Sequence, residues 1–194
     1  MRPLTVLVTT TLVLTASACS ATAGSGSVRT QVRSVSGFST VELTGVGDVL
    51  IGQTGTESLT VEAEDSFIAA LSTDVVDGVL RLGTRDGANI RPTKPVTFRL
   101  TVKTLAGLRL NGSGTETATS VRATRLEVDI SGSGTVTARG SADAQVVTIS
   151  GSGDYRGIDL ATRATTATVT GSGDAAVRAS DTLTATVSGS GQVT

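Results

Sequence analysis

Gly-Ser-Gly recurs five times in the second half of the chain. The copies are Gly112-Ser113-Gly114, Gly132-Ser133-Gly134, Gly151-Ser152-Gly153, Gly171-Ser172-Gly173 and Gly189-Ser190-Gly191, about 20 residues apart. Directly before each copy stands a short run that alternates inward and outward: Leu108-Arg109-Leu110, Val128-Asp129-Ile130, Val147-Thr148-Ile149, Ala167-Thr168-Val169 and Ala185-Thr186-Val187. Such alternation marks a half-buried strand. A second short strand, such as Thr135-Val136-Thr137, follows each copy. Strand, tight turn and strand at a fixed period of about 20 residues is the signature of a stacked repeat. One unit alone cannot bury its inward side chains, but stacking places Leu110, Ile130, Ile149, Val169 and Val187 in one column.

The ten glycines, Gly112, Gly114, Gly132, Gly134, Gly151, Gly153, Gly171, Gly173, Gly189 and Gly191, are read as structural corner turns. They supply positive φ and let corners stack without Cβ clashes, and the serines between them are placed to form a hydroxyl ladder. The competing reading, flexible Gly/Ser linker, does not account for apolar strands kept in register with every copy. The expected fold is all-β: a solenoid of about 20-residue coils, with a short helix or hairpin in the N-terminal half.

Composition narrows the core. There are three Phe, one Tyr and no Trp, so the interior must be built from Val, Leu, Ile and Ala. Formal net charge is −1, which gives no basic footprint for nucleic acid.

Residues 1–18 read as a secretory leader. Arg2 is its charged region, Leu4 to Leu14 its apolar stretch, and Ala16-Ser17-Ala18 its small-residue site. Cys19, the single cysteine, falls where bacterial lipoproteins carry the acylated cysteine, with Ala16 where Leu is commoner. The leader is thus a lipoprotein signal peptide and Cys19 the lipidation site. The alternative is ordinary cleavage near Ala18, leaving an unpaired thiol. Residues 19–33 read as the acylated Cys and a flexible tether, with Gly24-Ser25-Gly26 as linker. The domain is expected over 34–194.

Within it, Phe38 to Leu43 is a strand and Gly45-Val46-Gly47-Asp48 a degenerate copy of the corner. Asp65 is placed to cap a helix over Phe67 to Leu71 that plugs the open end, with an anchored surface loop as the equal alternative. Asp77-Gly78 is a hairpin signal. Val96 to Val102 alternates, with Phe98, Leu100 and Val102 on one face.

The run Gly37-Phe38, Val41-Glu42-Leu43, Gly45-Val46-Gly47-Asp48-Val49, Leu105 to Leu108 and the series of Ser-Gly-Ser-Gly corners resembles the head GIN domain family of auto-transporter adhesins. The resemblance spans about residues 34 to 194. It implies a right-handed parallel β-helix on an exported or lipoprotein leader, and carries over no catalytic residue.

Chemistry is sparse. There is no His, which removes His-based triads and common zinc sites, and the corners lack the Lys-Ser or Lys-Thr of a phosphate loop. Asp154 and Asp174 fall on neighbouring rungs, but side chains bonding their own corners are the simpler reading. Arg109 and Asp129 read as an ion pair on a solvated face, and Tyr155 is the one aromatic available to stack a sugar. Thr-x-Thr pairs recur (Thr115/Thr117, Thr135/Thr137, Thr166/Thr168, Thr184/Thr186) without falling on one column, which disfavours ice binding. No catalytic residue, cofactor or metal site is assigned.

The function expected is a membrane-anchored, extracytoplasmic, non-catalytic adhesion or surface-binding module on the outer face of a bacterial membrane. The alternatives are an envelope signalling accessory that binds another membrane protein and, less favoured, a polysaccharide-acting β-helix enzyme. The expected partners are the membrane through the lipid, an unidentified protein or polysaccharide ligand, and a second copy through the C-terminal end, where Val187 ends the apolar column.

Overall fold

The computed structural model describes residues 22–86, 88 and 90–194; the leader and Cys19 lie outside the described residues. The chain is all-β. The N-terminal half holds β1 (Thr22–Ala23), β2 (Val28–Arg33), β3 (Thr40–Gly45), β4 (Asp48–Gln53), β5 (Ser58–Glu64), β6 (Leu71–Val76), β7 (Val79–Thr84), β8 (Ile90–Arg91) and β9 (Thr97–Val102). The repeats form β10 (Gly107–Gly112), β11 (Thr115–Gly132), β12 (Thr135–Gly151), β13 (Asp154–Arg156), β14 (Leu160–Gly171), β15 (Asp174–Ala176), β16 (Ala179–Gly189) and β17 (Gln192–Val193).

Each repeat unit pairs in parallel with the next, in register on both sides of the corner. Before the corner, Leu82, Leu43, Leu110, Ile130, Ile149, Val169 and Val187 align across β7, β3, β10, β11, β12, β14 and β16. After it, Phe98, Val49, Glu116, Val136, Tyr155, Ala175 and Val193 align across β9, β4, β11, β12, β13, β15 and β17. A third side, not read from the sequence, carries Leu126, Gln145, Thr165 and Leu183. It exists because β11 and β12 run on past the second side and bend at a bulge. Ser120 takes φ 59° and Gly140 φ 132° there, and the register slips between Ala118 and Val121. All but the last members of these columns are buried, forming one continuous apolar interior with Glu116, Gln145 and Thr165 inside it.

The corners explain their glycines. Gly151 has φ 122°, a conformation costly for any residue with a Cβ, and a Cβ there would meet the carbonyl oxygen of Gly132 at 2.6 Å. Gly153 has ordinary φ, but a Cβ would strike Ile130 Cγ2 at 2.5 Å and Gly134 O at 2.8 Å. The first glycine of each corner makes the turn, and the second lets it sit against the previous corner and the apolar column. The bond between corners is made by backbone: Ser133, Ser152, Ser172 and Ser190 each donate their N–H, at 2.9 Å, to the carbonyl of Gly112, Gly132, Gly151 and Gly171. The expected serine hydroxyl ladder does not form; among the described residues no corner serine hydroxyl bonds another. Gly45 and Gly47 serve as a further corner, accepting from Ser113 at 3.0 Å and Thr115 at 2.9 Å.

The N-terminal end departs from the sequence reading in two ways. Residues 28–33, read as tether, form β2, the edge strand antiparallel to β5. Gly24-Ser25-Gly26, read as linker, is bound to Glu64, as described below. Both corrections have one cause: β5 has a free edge that β2 satisfies, and tether composition carries no signal of that pairing. Of the two alternatives for the segment after Asp65, a helix or an anchored surface loop, the loop is what forms, with Phe67 buried as its anchor. Residues 65–70 make turns, with Phe67 and Ile68 N–H both donating to the Glu64 carbonyl at 2.9 and 3.2 Å, and Leu71 already begins β6. Two turns of helix would draw Leu71 out of its pairing with Thr84. The hairpin at Asp77-Gly78 does form, with both residues at positive φ. Antiparallel β2, β5 and β9 on one side and β6–β7 on another close this end of the stack.

Candidate functional site

The outward side of the strands before the corners divides into two zones. Near the closed end it is a row of charges: Arg81, Glu42, Arg109 and Asp129 align on neighbouring strands. Arg81 lies 3.9 Å from Glu42, and Arg109 lies 3.8 Å from Asp129. Asn111 adds a bond to Glu42 at 3.1 Å. The Arg109–Asp129 pair is therefore the exposed cross-strand ion pair that its residue types imply. Its members are half-exposed, so it contributes little to stability.

Beyond Asp129 the charges stop. On β12, β14 and β16 the outward positions are Val146, Thr166 and Thr184, then Thr148, Thr168 and Thr186, then Ser150, Thr170 and Ser188. Eight of these nine are hydroxyl side chains. Strand geometry sets them about 4.8 Å apart along the stack and about 7 Å apart along each strand. None of the eight makes a side-chain hydrogen bond among the described residues, so all are free to meet a ligand or solvent. The Thr-x-Thr pairs thus fall on two separate patches: Thr166/Thr168 and Thr184/Thr186 here, Thr115/Thr117 and Thr135/Thr137 on the side after the corner.

The remaining named residues are occupied elsewhere. Asp48 accepts the Thr115 hydroxyl, and Asp174 accepts the Gln192 N–H at 3.0 Å. Asp154 faces Arg156 at 4.0 Å. Asp48 and Asp174 therefore bond the rung beside them, and Asp154 stays within its own strand, β13. Among the described residues no group of three or more His, Cys, Asp or Glu is placed to hold a metal. Tyr155, a sugar platform on sequence grounds, is buried and presents no face to a ligand. A shallow groove of about 480 Å³ on the third side is lined by small residues with Asp143, Arg163 and Arg178. Arg163 in it is 3.2 Å from Asp181, whose carboxyl is held below the usual range by the Ser180 hydroxyl and by Arg163.

Sequence reading missed the polar groups inside the stack. Glu116 is fully buried, neither carboxyl oxygen has a hydrogen-bond partner, and burial pushes its carboxyl well above the usual carboxylate range. The Leu43 backbone opposes that push without completing a bond, and the Glu42 carboxylate adds to it. Gln145 and the Tyr155 hydroxyl are likewise buried and unpartnered, and burial raises the Tyr155 hydroxyl. The signal for Glu116 was its place two residues past the corner, aligned with Val136.

The opposite case is Glu64. It too is fully buried, and burial alone would raise it. Its oxygens accept from Thr93 N and Oγ1, each at 2.8 Å, from Gly26 N at 2.6 Å and from Lys94 N at 3.3 Å. These bonds outweigh burial and hold its carboxyl below the usual range.

A family model described as "Putative auto-transporter adhesin, head GIN domain" matches residues 37–194. The chain belongs to this family. The head GIN match covers every corner, from Gly45 to Gly191, and leaves only β1 and β2 among the described strands outside it. No curated protein matches the chain. Among solved structures, one from Bacteroides fragilis described as "a putative adhesin" has a TM-score of 0.67 at 21% identity, covering 89% of this chain and 98% of its own. One from Parabacteroides distasonis described as "Putative lipid binding protein" has a TM-score of 0.59 at 19% identity, covering 90% and 98%. These likenesses show that the head GIN chain shares their fold along nearly its whole length.

Proposed function

We propose that the protein is exported, acylated at Cys19 and held on the outer face of a bacterial membrane, where it serves as a non-catalytic surface-binding module. The scaffold in this reading is a right-handed parallel β-helix. In-register parallel pairing of units about 20 residues apart supports the helix, and the strong preference of parallel crossovers for one hand supports the handedness. The apolar stretch before Cys19, the small residues beside it and the lack of a second cysteine support the anchor.

The observation that carries the binding reading is the grid of eight hydroxyls on β12, β14 and β16. It is uncharged and without side-chain partners among the described residues, whereas its middle column continues toward the closed end as the ion-paired Asp129, Arg109, Glu42 and Arg81. Such a surface suits a neutral, hydroxyl-bearing polymer that repeats along its length, where many weak bonds add through multivalency. The adhesin description of the family and of the B. fragilis structure agrees with this reading. Retention of the Cys19→Ser protein by insoluble neutral polysaccharides tests it. Wild-type surface is expected to be retained, and Thr168→Arg, at the centre of the grid, to be released. Equal retention of both proteins contradicts the assignment.

A second reading, an envelope accessory that binds a protein, is favoured by the last rung. Leu183 and Val187 are 50% and 41% exposed there.

A further inference from the structure

The anchor reading takes on a definite geometry once the segment after Cys19 is followed. Thr22 and Ala23 form β1, paired in parallel with Ile90 and Arg91 of β8. Gly26 then donates to Glu64, Ser25 gives its hydroxyl to Asp65, and Asp65 N–H returns to Ser27 O at 2.9 Å. Gly24 packs so tightly on the Glu64 carboxylate that a Cβ there would collide with it. The same carboxylate holds Thr93 and Lys94. Glu64 thus fastens the start of the chain to the loop after β8, at the closed end of the stack.

Two residues, Ser20 and Ala21, lie between Cys19 and Thr22, which allows about 10 Å of chain at most. We infer that the lipid anchor is strapped to the closed end of the stack through Glu64, so that this end faces the lipid surface and the last rung points away from it. The inference rests on acylation of Cys19. From β2 to β17 the strand order passes through β5, β9, β4, β11, β12, β13 and β15, a rise of about 38 Å at strand spacing. The hydroxyl grid lies on the last three long strands and is therefore held clear of the headgroups.

The surface beside the strap fits a lipid interface. Arg91 and Lys94 are exposed and form no ion pair among the described residues, and the acid beside them, Glu64, accepts the Lys94 backbone N–H. Val28 and Val32 of β2 are 48% and 76% exposed. Cations beside exposed apolar side chains suit a headgroup boundary.

The test uses the acylated protein in vesicles that carry a nitroxide-labelled lipid, with a fluorophore at Arg91→Cys or at Gln192→Cys. The account predicts quenching several-fold stronger at position 91 than at 192. Gly24→Val, which drives the strap off Glu64 while leaving the stack untouched, is expected to bring the two values together. Glu64→Gln, a milder change at the hub, is expected to move them the same way. Equal quenching in the wild-type background overturns the inference. Mass spectrometry of the same sample separates the two claims: a chain without acyl groups overturns the anchor reading and the orientation with it. An acylated chain with equal quenching overturns the orientation alone, and unprotected Gly26 N–H in hydrogen exchange would place that failure at the strap.

Discussion

The carbonyl oxygen of Gly132 lies against the Cα of Gly151 so closely that a Cβ on Gly151 would sit 2.6 Å from it. One rung thus dictates the residue type of the next, and the same contact recurs at every Gly-Ser-Gly corner. Gly151 also carries a positive φ, so Gly151→Ala meets two penalties together. It is expected to lower stability by about 3 kcal/mol or more, given the cost of strained conformations and of overpacking. Ser152→Ala, whose hydroxyl bonds no other corner serine, is expected to change stability by less than about 0.5 kcal/mol. Urea unfolding of the two variants checks the contrast.

The interior acid gives a pH dependence of known sign. Burial raises the Glu116 carboxyl in the folded state, so the folded chain binds its proton more tightly than the unfolded chain. The stability this represents is fully present below the ordinary carboxylate pKa and is lost as pH rises from there through the raised value. Thermal unfolding midpoints should therefore fall as pH rises above the ordinary carboxylate range. Glu116→Gln removes the proton and should flatten that slope. An unchanged slope in the variant would assign the dependence to another group.

The Arg109–Asp129 pair is exposed and 3.8 Å apart. Asp129→Asn is expected to cost less than about 1 kcal/mol, and the cost should vanish at high salt. The same substitution leaves polysaccharides unturned over in both proteins if the pair is a solvated-face feature. Turnover lost with Asp129 would make it catalytic.

Much of this architecture is legible in the sequence because the corners demand glycine and the columns demand apolar side chains. The alignment of Leu110, Ile130, Ile149, Val169 and Val187 follows from spacing alone. Three features do not. The third side is hidden because its bend uses Ser120 and Gly140, residues of unlike type that the register slip sets one position apart. The Glu64 strap is hidden because it joins a Gly/Ser-rich segment to a carboxylate 38 residues away, a link composition cannot encode. Glu116 was overlooked because a charged residue in a strand reads as outward until register fixes its direction. The hydroxyl grid lay between these cases: its threonines are plain in the sequence, but which of them share a face is settled only by pairing.

Among the described residues β16 pairs only with β14, and Leu183 and Val187 are exposed on its inward side. Uncovered edges of low charge tend to pair, and no side chain from Thr182 to Thr194 is charged. We propose weak self-association there. Light scattering of the Cys19→Ser protein should show a concentration-dependent dimer that Val187→Lys shifts to monomer with unchanged circular dichroism. A monomer at high concentration, unaffected by Val187→Lys, would show that the edge stays unpaired.

Both the outward-facing module and its orientation depend on the address of the chain, and one measurement tests that address most directly. The protein is extracted from membranes of cells fed a labelled fatty acid, and its N-terminal peptide is weighed. The account predicts a chain beginning at Cys19 with acyl groups on it, and loss of both label and membrane retention in Cys19→Ser. A soluble exported chain with a free Cys19 thiol would contradict it.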